Sequence, residues 1–419
     1  MKHKAHSLID KVYRWNNLYR AWRRVRANKG AHGLDRVTIR QFEANWEVYL
    51  REIQRKLMQR RYKPQPVRRV YIPKSSNPKQ LRPLGIPIVA DRIVGQALIQ
   101  VLDPLFDKTL SDRSYAFRKG RKAHDAIATV IRDAKDGFRV VLDADIRSFF
   151  DRIDHSVLMS RVRSRIADGR VLDLIEAFLK AGVMEDGTVH VSAEGTPQGG
   201  VISPWLANLL LDDLDKAIEA KGWRHVRYAD DFVVLCRTRP EAEEALRYVK
   251  EVLDGLKLEL HETKTRIAEF TQGFEFVGFH FRYNRLGIRD KSIERFKDKV
   301  RTLTQRQQGR NIEAVIEDLN PVLRGWANAF GVAEVGRLFR TLDAWIRMRL
   351  RAFRTQRRRR TDNYRIPNRR LAKLGLLRLH DCRPVLRLSY RGVLARGGEP
   401  WLRAKRQPFG VAQCTNYAR

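Results

Sequence analysis

The stretch His225-Val226-Arg227-Tyr228-Ala229-Asp230-Asp231-Phe232-Val233-Val234-Leu235-Cys236 puts two neighbouring carboxylates immediately before a wholly apolar run. An apolar run of that length bounded by polar residues reads as a buried strand, so Asp230 and Asp231 sit where a strand reverses. Like charges side by side at a strand end are costly unless a cation or a basic group neutralises them. Any fold of this chain must therefore bring positive charge to that turn. An isolated Asp-Asp pair is usually only a polar turn, and the rest of the sequence decides between the two readings.

A second strand-like run, Phe138-Arg139-Val140-Val141-Leu142, also leads into acid, as Asp143-Ala144-Asp145-Ile146-Arg147-Ser148-Phe149-Phe150-Asp151. If the two strand ends lie together, a carboxylate from each can hold two metal ions about 3.5–4 Å apart, the spacing of two-metal phosphoryl-transfer sites. One ion then activates an attacking hydroxyl and the other stabilises a leaving pyrophosphate. Oxygen ligands from Asp suit Mg²⁺, with Mn²⁺ as the alternative ion.

The motifs, in order along the chain, resemble those of a reverse transcriptase, and more narrowly of the reverse transcriptase/maturase encoded within bacterial group II introns. They are Leu81-Arg82-Pro83-Leu84-Gly85-Ile86-Pro87, Asp145 with Phe149-Phe150, Gly195-Thr196-Pro197-Gln198-Gly199-Gly200-Val201-Ile202-Ser203-Pro204, the Tyr228-Ala229-Asp230-Asp231 turn, Glu262-Thr263-Lys264-Thr265, and Phe276-Val277-Gly278-Phe279. The resemblance implies an α+β right-hand polymerase fold of fingers and palm, followed by a helical thumb or maturase domain and a basic C-terminal segment. The implied activity is RNA-directed DNA polymerisation coupled to binding and splicing of an intron RNA.

The same resemblance assigns roles residue by residue. Asp145, Asp230 and Asp231 are the catalytic carboxylates, and with Ile146 they form the metal site. Asp143 competes with Asp145, because residues two apart point to the same face of a strand. Lys74, Arg82, Phe149, Phe150, Gln198 and Lys264 surround the incoming nucleotide. Phe150 packs under the sugar, where its bulk disfavours a 2′-hydroxyl, and its ordinary alternative is a core aromatic. Phe276, Val277, Gly278 and Phe279 resemble the primer grip. Lys74 and Lys264 could equally be solvated surface lysines.

Composition agrees with a nucleic-acid partner. The 419 residues carry 84 Lys and Arg against 48 Asp and Glu, a formal charge of +36, and such an excess implies an extended polyanion. A hydrophobic fraction of 43% allows two or three packed domains rather than a disordered basic tail. No run of about 18 apolar residues and no signal peptide is visible, so a membrane is not expected. Cys236, Cys382 and Cys414 are widely separated with no C-x-x-C pair, which argues against a zinc module or a disulfide framework and favours a reducing, bacterial-type cytoplasm. Nothing after residue 360 supplies the cysteine pairs of a His-Asn-His endonuclease, so no DNA-cleaving domain is expected.

The resemblance implies domains at 1–62 (basic helical extension), 63–124 (fingers), 125–280 (palm, with the polymerase domain spanning about 63–280), 281–360 (thumb or maturase) and 361–419 (basic segment or tail). In the extension, Leu8, Val12, Trp15, Leu18, Tyr19, Trp22 and Val25 recur at helical steps, residues 28–33 break the helix, and 42–58 resume one. Residues 67–72 and 80–82 read as a hairpin, and 91–102 as a helix opening on the acidic cap Asp91. Residues 319–330, with Phe339, Leu342, Asp343, Trp345 and Ile346, resemble the maturase segment. There Arg337, Arg340, Arg347, Arg349, Arg351 and Arg354 form a basic face suited to RNA backbone, extended by residues 357–360.

Expected partners are the intron RNA, an RNA template with a DNA primer, target DNA and deoxynucleoside triphosphates. Two other readings stay open: a splicing-only maturase with a relic polymerase fold, and a domesticated or defence-associated reverse transcriptase. An intact set of three carboxylates in a basic surface favours an active polymerase over a scaffold.

Overall fold

A computed structural model describes residues 5–74, 77–185, 188–190, 194–196, 199–282, 285–306, 308–356, 362–384 and 388. Gln198, the 357–360 run, Cys414 and most of 385–419 lie outside the described residues, as does the side chain of Lys74. The described residues divide into two compact units, one from within 1–126 and 142–267, the other from 127–141 and residues 268 onward.

The first unit opens with two short helices, Ile9–Tyr13 and Trp15–Ala27, separated at Arg14 by extended backbone. The predicted apolar stripe is buried at Leu8, Val12, Leu18, Trp22 and Val25, while Tyr19 is exposed. The helix expected over 42–58 is two, Ile39–Ala44 and Trp46–Met58, because the backbone leaves helical geometry at Asn45. Phe42 bridges the pieces, its ring 4.7 Å from Trp22 and 4.6 Å from Tyr49.

The extension is fastened by Asp168. Its carboxylate accepts from Leu8 N (2.6 Å) and Ile9 N (2.9 Å) while also capping the Gly169–Lys180 helix through Arg170 N (3.1 Å) and Val171 N (3.3 Å). One side chain thus satisfies orphan donors at the starts of two helices far apart in sequence.

The hairpin expected near residue 70 is the antiparallel pair Val67–Lys74 and Asn77–Ile86, with Arg82 opposite Ile72 and an irregularity at Pro73/Lys74. Its first strand also pairs in parallel with Val183–Glu185, giving a four-stranded sheet with Thr188–His190 at the edge. The following helix runs Val89–Phe106, longer than its apolar pattern suggested. Asp91 is not its cap. It is buried, accepting from Tyr62 Oη (2.6 Å) and Gln65 N (2.9 Å), and burial lifts its carboxyl to about 6.

The sheet that carries the acidic strand ends has the order Arg224–Tyr228, Asp231–Cys236, Val140–Asp145, Arg266–Glu269. Its two central strands bury Phe232, Val233, Val234 and Val141, Leu142, and Val226 is buried on the strand beside them. The Ser203–Ala220 and Arg239–Gly255 helices supply further core, through Leu206, Leu210, Leu214, Ala245 and Val249.

The second unit is a three-stranded antiparallel sheet, Arg285–Ile288, Phe279–Arg282 and Phe274–Phe276, with helices Asp290–Leu303, Ile312–Phe330 and Gly336–Thr355. Phe274 stacks on Phe281 at 4.7 Å and Trp326 on Phe296 at 4.3 Å, with Phe330 and Phe339 beside Trp326. Phe279 also packs on Phe330 (5.3 Å), and residues from 268 onward belong to this second unit. Part of the segment after 361 is folded: Asn320 and Asp343 accept from Leu377 N and Leu379 N, and Asn320 donates to Gly375 O.

The double role of Asp168 predicts that Asp168→Ala lowers stability by about 1–2 kcal/mol, read by urea unfolding at neutral pH. Burial opposes the Asp168 charge, but four backbone N–H groups outweigh it and hold the carboxyl below the usual carboxylate range. A lowered folded value means the contribution is full above the unfolded carboxylate pKa and is lost as pH falls through the folded one. The gap between parent and variant therefore closes in strong acid, and a gap that widened there would contradict the assignment.

Candidate active site

The two strands Arg224–Tyr228 and Asp231–Cys236 pair antiparallel from Arg224↔Leu235 to Tyr228↔Asp231, leaving Ala229 and Asp230 as a two-residue turn. Ala229 has φ +62°, a left-handed conformation that costs a non-glycine residue about 1–2 kcal/mol. The neighbouring sheet strand ends in Asp145. Asp230 is partly buried, and its carboxyl is raised first by that burial and then by the negative charge of Asp145, against the lowering pull of Arg82 and Lys264. Residues from three other motifs, at 82, 145 and 264, thus act electrostatically on Asp230.

Lys264 Nζ lies 2.6 Å from Asp145 Oδ2. The loop that carries it is tied to the acidic strand end by His261 N donating to Asp145 O (2.7 Å), and Ile146, fully buried, bridges to Leu260. Asp143, the competing ligand, is engaged by Arg266 at 3.3 Å. Phe149 is buried and Phe150 half-buried, their rings 5.2 Å apart edge to face. The loop leading to Gln198 is pinned here, since Thr196 N donates to Phe150 O (2.7 Å), Gly195 N to Ile153 O (2.8 Å), and His155 Nε2 sits 2.6 Å from Gly195 O. At Gly199 (φ +110°) a Cβ would come within 2.4 Å of Gly85 O, so only glycine lets this loop approach the finger strand so closely.

The donor set is carboxylate oxygen in a setting with surplus negative charge, which fits a hard divalent cation. Among the described residues no three His, Cys, Asp or Glu side chains form a metal-holding group. The ammonium of Lys264 instead neutralises Asp145.

Sequence reasoning missed what lies beneath the turn. Arg227 is fully buried, with Nε and Nη2 forking onto Asp215 (2.8 and 2.6 Å) and Nη1 reaching Asn208 Oδ1 (3.0 Å) and Ala229 O (3.0 Å). Burial alone would raise the Asp215 carboxyl, but the Arg227 guanidinium holds it well below the carboxylate range. His225, also buried, has Nε2 3.2 Å from Asp215 Oδ1 but not aligned for a hydrogen bond. The signal was present: Asn208, Asp212, Asp215 and Glu219 recur at helical spacing along a helix rich in leucine.

In the second unit, Phe276↔Phe279 pairing makes Val277 and Gly278 a two-residue turn, with φ +49° and +80°. Phe276 and Phe279 are core residues there. The basic face of the Gly336–Thr355 helix is narrower than its sequence suggested. Arg337, Arg340 and Arg354 are exposed and Arg347 is half-buried. Arg351 must be removed from that face, because it is buried, with Nε on Ile366 O (2.9 Å) and Nη2 on Asn368 Oδ1 (2.7 Å). Arg349 likewise turns inward to Thr304.

The profile of the reverse transcriptase (RNA-dependent DNA polymerase) family matches residues 72–281, and that of the group II intron maturase-specific domain matches residues 293–371. The chain belongs to the reverse transcriptase family and carries a group II intron maturase domain behind the polymerase domain. It is 36% identical to protein YkfC of Escherichia coli (strain K12) over 293 residues, covering 60% of this chain and 76% of that one. It is 31% identical to the group II intron-encoded protein LtrA of Lactococcus lactis subsp. cremoris over 355 residues, covering 68% of this chain and 57% of LtrA. Among solved structures, a chain of a partial Cas6-RT-Cas1–Cas2 complex aligns with TM-score 0.39 and 25% identity, over 60% of this chain and 43% of that one. No helix among the described residues is long and apolar enough to cross a membrane.

Proposed function

We propose that the protein binds a group II intron RNA, assists its splicing, and copies RNA into DNA from a DNA primer at a target site, using deoxynucleoside triphosphates. The observation that carries this is the electrostatic coupling of Asp145 to Asp230 across two strands, with Arg82 and Lys264 as the countercharges. Asp145, Asp230 and Asp231, with Ile146 alongside, would hold Mg²⁺, which lowers the pKa of the primer hydroxyl and offsets charge on the leaving pyrophosphate. Both carboxylates have a cationic partner, Lys264 for Asp145 and Arg266 for Asp143; Asp145 is favoured because its charge acts on Asp230.

The remaining roles belong to the chain itself. Arg82 on the finger strand and Lys264 opposite it bring positive charge to the triphosphate, Lys74 and Gln198 complete the nucleotide pocket, and Phe149 anchors Phe150 beneath the sugar. The 276–279 turn, narrow because Gly278 has no side chain, receives the primer end. Arg337, Arg340, Arg347 and Arg354 contact intron RNA backbone.

Asp230→Ala or Asp145→Ala is expected to abolish primer extension on an RNA template while leaving RNA affinity close to the parent's, since only transition-state stabilisation is lost. Normal extension by Asp145→Ala together with its loss in Asp143→Ala would reverse the ligand assignment.

For Phe150→Val, incorporation of ribonucleotides relative to deoxynucleotides should rise roughly tenfold to two-hundredfold, the worth of one such pocket contact. Single-nucleotide incorporation kinetics read this directly. An unchanged sugar preference in an active variant would reduce Phe150 to a core residue.

Replacing Arg337, Arg340 and Arg354 together by Gln should weaken intron RNA binding and flatten its salt dependence by about 0.7 in log–log slope per lost phosphate contact. Splicing assistance at low Mg²⁺ should fall in parallel, with extension of a pre-bound primer retained. Unchanged affinity and slope would leave that face merely solvated.

A further inference from the structure

We propose that Arg227, locked to Asp215 and Asn208, is the positioning residue that holds the Asp230–Asp231 turn in its working geometry. The inference rests on the reading of Asp230 and Asp231 as polymerase carboxylates and adds the device that aims them.

The guanidinium is fully buried and four of its donor contacts are satisfied: two on Asp215, one on Asn208 Oδ1 and one on Ala229 O. The last of these is the informative one. Ala229 is the residue with the left-handed backbone, immediately before Asp230. A hydrogen bond to its carbonyl fixes the peptide plane from which Asp230 and Asp231 project.

Arg227 itself has little freedom to move. Its backbone N donates to Arg113 O (2.9 Å) and its carbonyl accepts from Tyr115 N (3.0 Å). Its two side-chain acceptors stand seven residues apart on one face of the Ser203–Ala220 helix, and Asn208 is anchored by donating to Ala116 O (2.8 Å). Both acceptors are thus held by one helix, Ser203–Ala220, beneath the turn. A buried ion pair kept for stability alone could be exchanged for packed apolar side chains with little loss. No apolar pair can reproduce the bond to the Ala229 carbonyl, and this difference separates positioning from packing.

The test compares the parent, Asp230→Ala, Arg227→Lys, and the double variant Arg227→Met with Asp215→Leu, each as the full chain. Thermal unfolding reports folding, primer extension gives kcat and the KM for deoxynucleotide, and Mn²⁺ titration followed by electron paramagnetic resonance reports ion affinity without turnover. In the double variant the unfolding midpoint is expected to stay near the parent's while kcat falls about a hundredfold, the consequence of a misplacement near 1 Å. Mn²⁺ affinity should weaken, with RNA affinity and nucleotide KM little changed. Arg227→Lys keeps the charge but not the fork, and should show the same pattern with a smaller loss; it decides the matter if the double variant does not fold. A folded variant with parental kcat and Mn²⁺ affinity would make the pair structural only and overturn the proposal. Full activity in Asp230→Ala would instead overturn the underlying reading of the carboxylates.

Discussion

The negative charges of Asp145 and Asp230 oppose one another beside one half-buried turn, and the surrounding residues are organised by how that repulsion is met. Positive charge arrives from two sides at the surface, through Arg82 on the finger strand and Lys264 on the loop after the Arg239–Gly255 helix. A third cation comes from below, where Arg227 does not touch the carboxylates but takes the carbonyl of Ala229 between them and the core. Surface charges can rearrange as substrate and ions enter, because Lys264 is largely exposed. The buried one cannot, because releasing Asp215 would leave an unpaired charge in an apolar interior. The site therefore combines a yielding outer shell of charge with a fixed floor.

Much of this was legible in the sequence, for reasons that differ by element. The turn at 228–231 and the strand ending in Asp145 announced themselves because apolar runs ending in acid are hard to explain otherwise. The finger hairpin followed from turn residues between β-branched runs. The failures are of two physical kinds. Helix boundaries at Asn45 and Arg14 depend on single backbone angles that periodicity does not register. Roles such as that of Asp91, which looks like a cap in sequence and is in fact a buried acceptor for Tyr62 and Gln65, depend on partners that local pattern cannot name.

The turn at residues 276–279 illustrates the same limit at the level of domains. Motif order assigns residues 276–279 to the palm, whereas aromatic packing assigns them to the unit built around Trp326 and Phe330. Sequence order records how motifs follow one another, and contact records what moves as a body. The hairpin whose turn is Val277-Gly278 has its flanking phenylalanines in the core of that unit.

The arginines give the last step. A formal charge of +36 suggests a chain coated with nucleic-acid contacts, yet several guanidiniums are structural. Arg227 holds the turn, Arg118 ties Asp107 to the carbonyls of Ser111 and Ser114, Arg349 binds Thr304 and Arg351 binds Ile366 and Asn368. Arginine suits this work because its planar fork can satisfy several carbonyl and carboxylate oxygens at once and does not lose its proton when buried. The chain thus uses one residue type for two tasks, and net charge overstates the surface left for RNA. What separates the tasks is burial: a guanidinium whose donors end on the protein's own oxygens has few left for a phosphate, whereas Arg337, Arg340 and Arg354 are exposed.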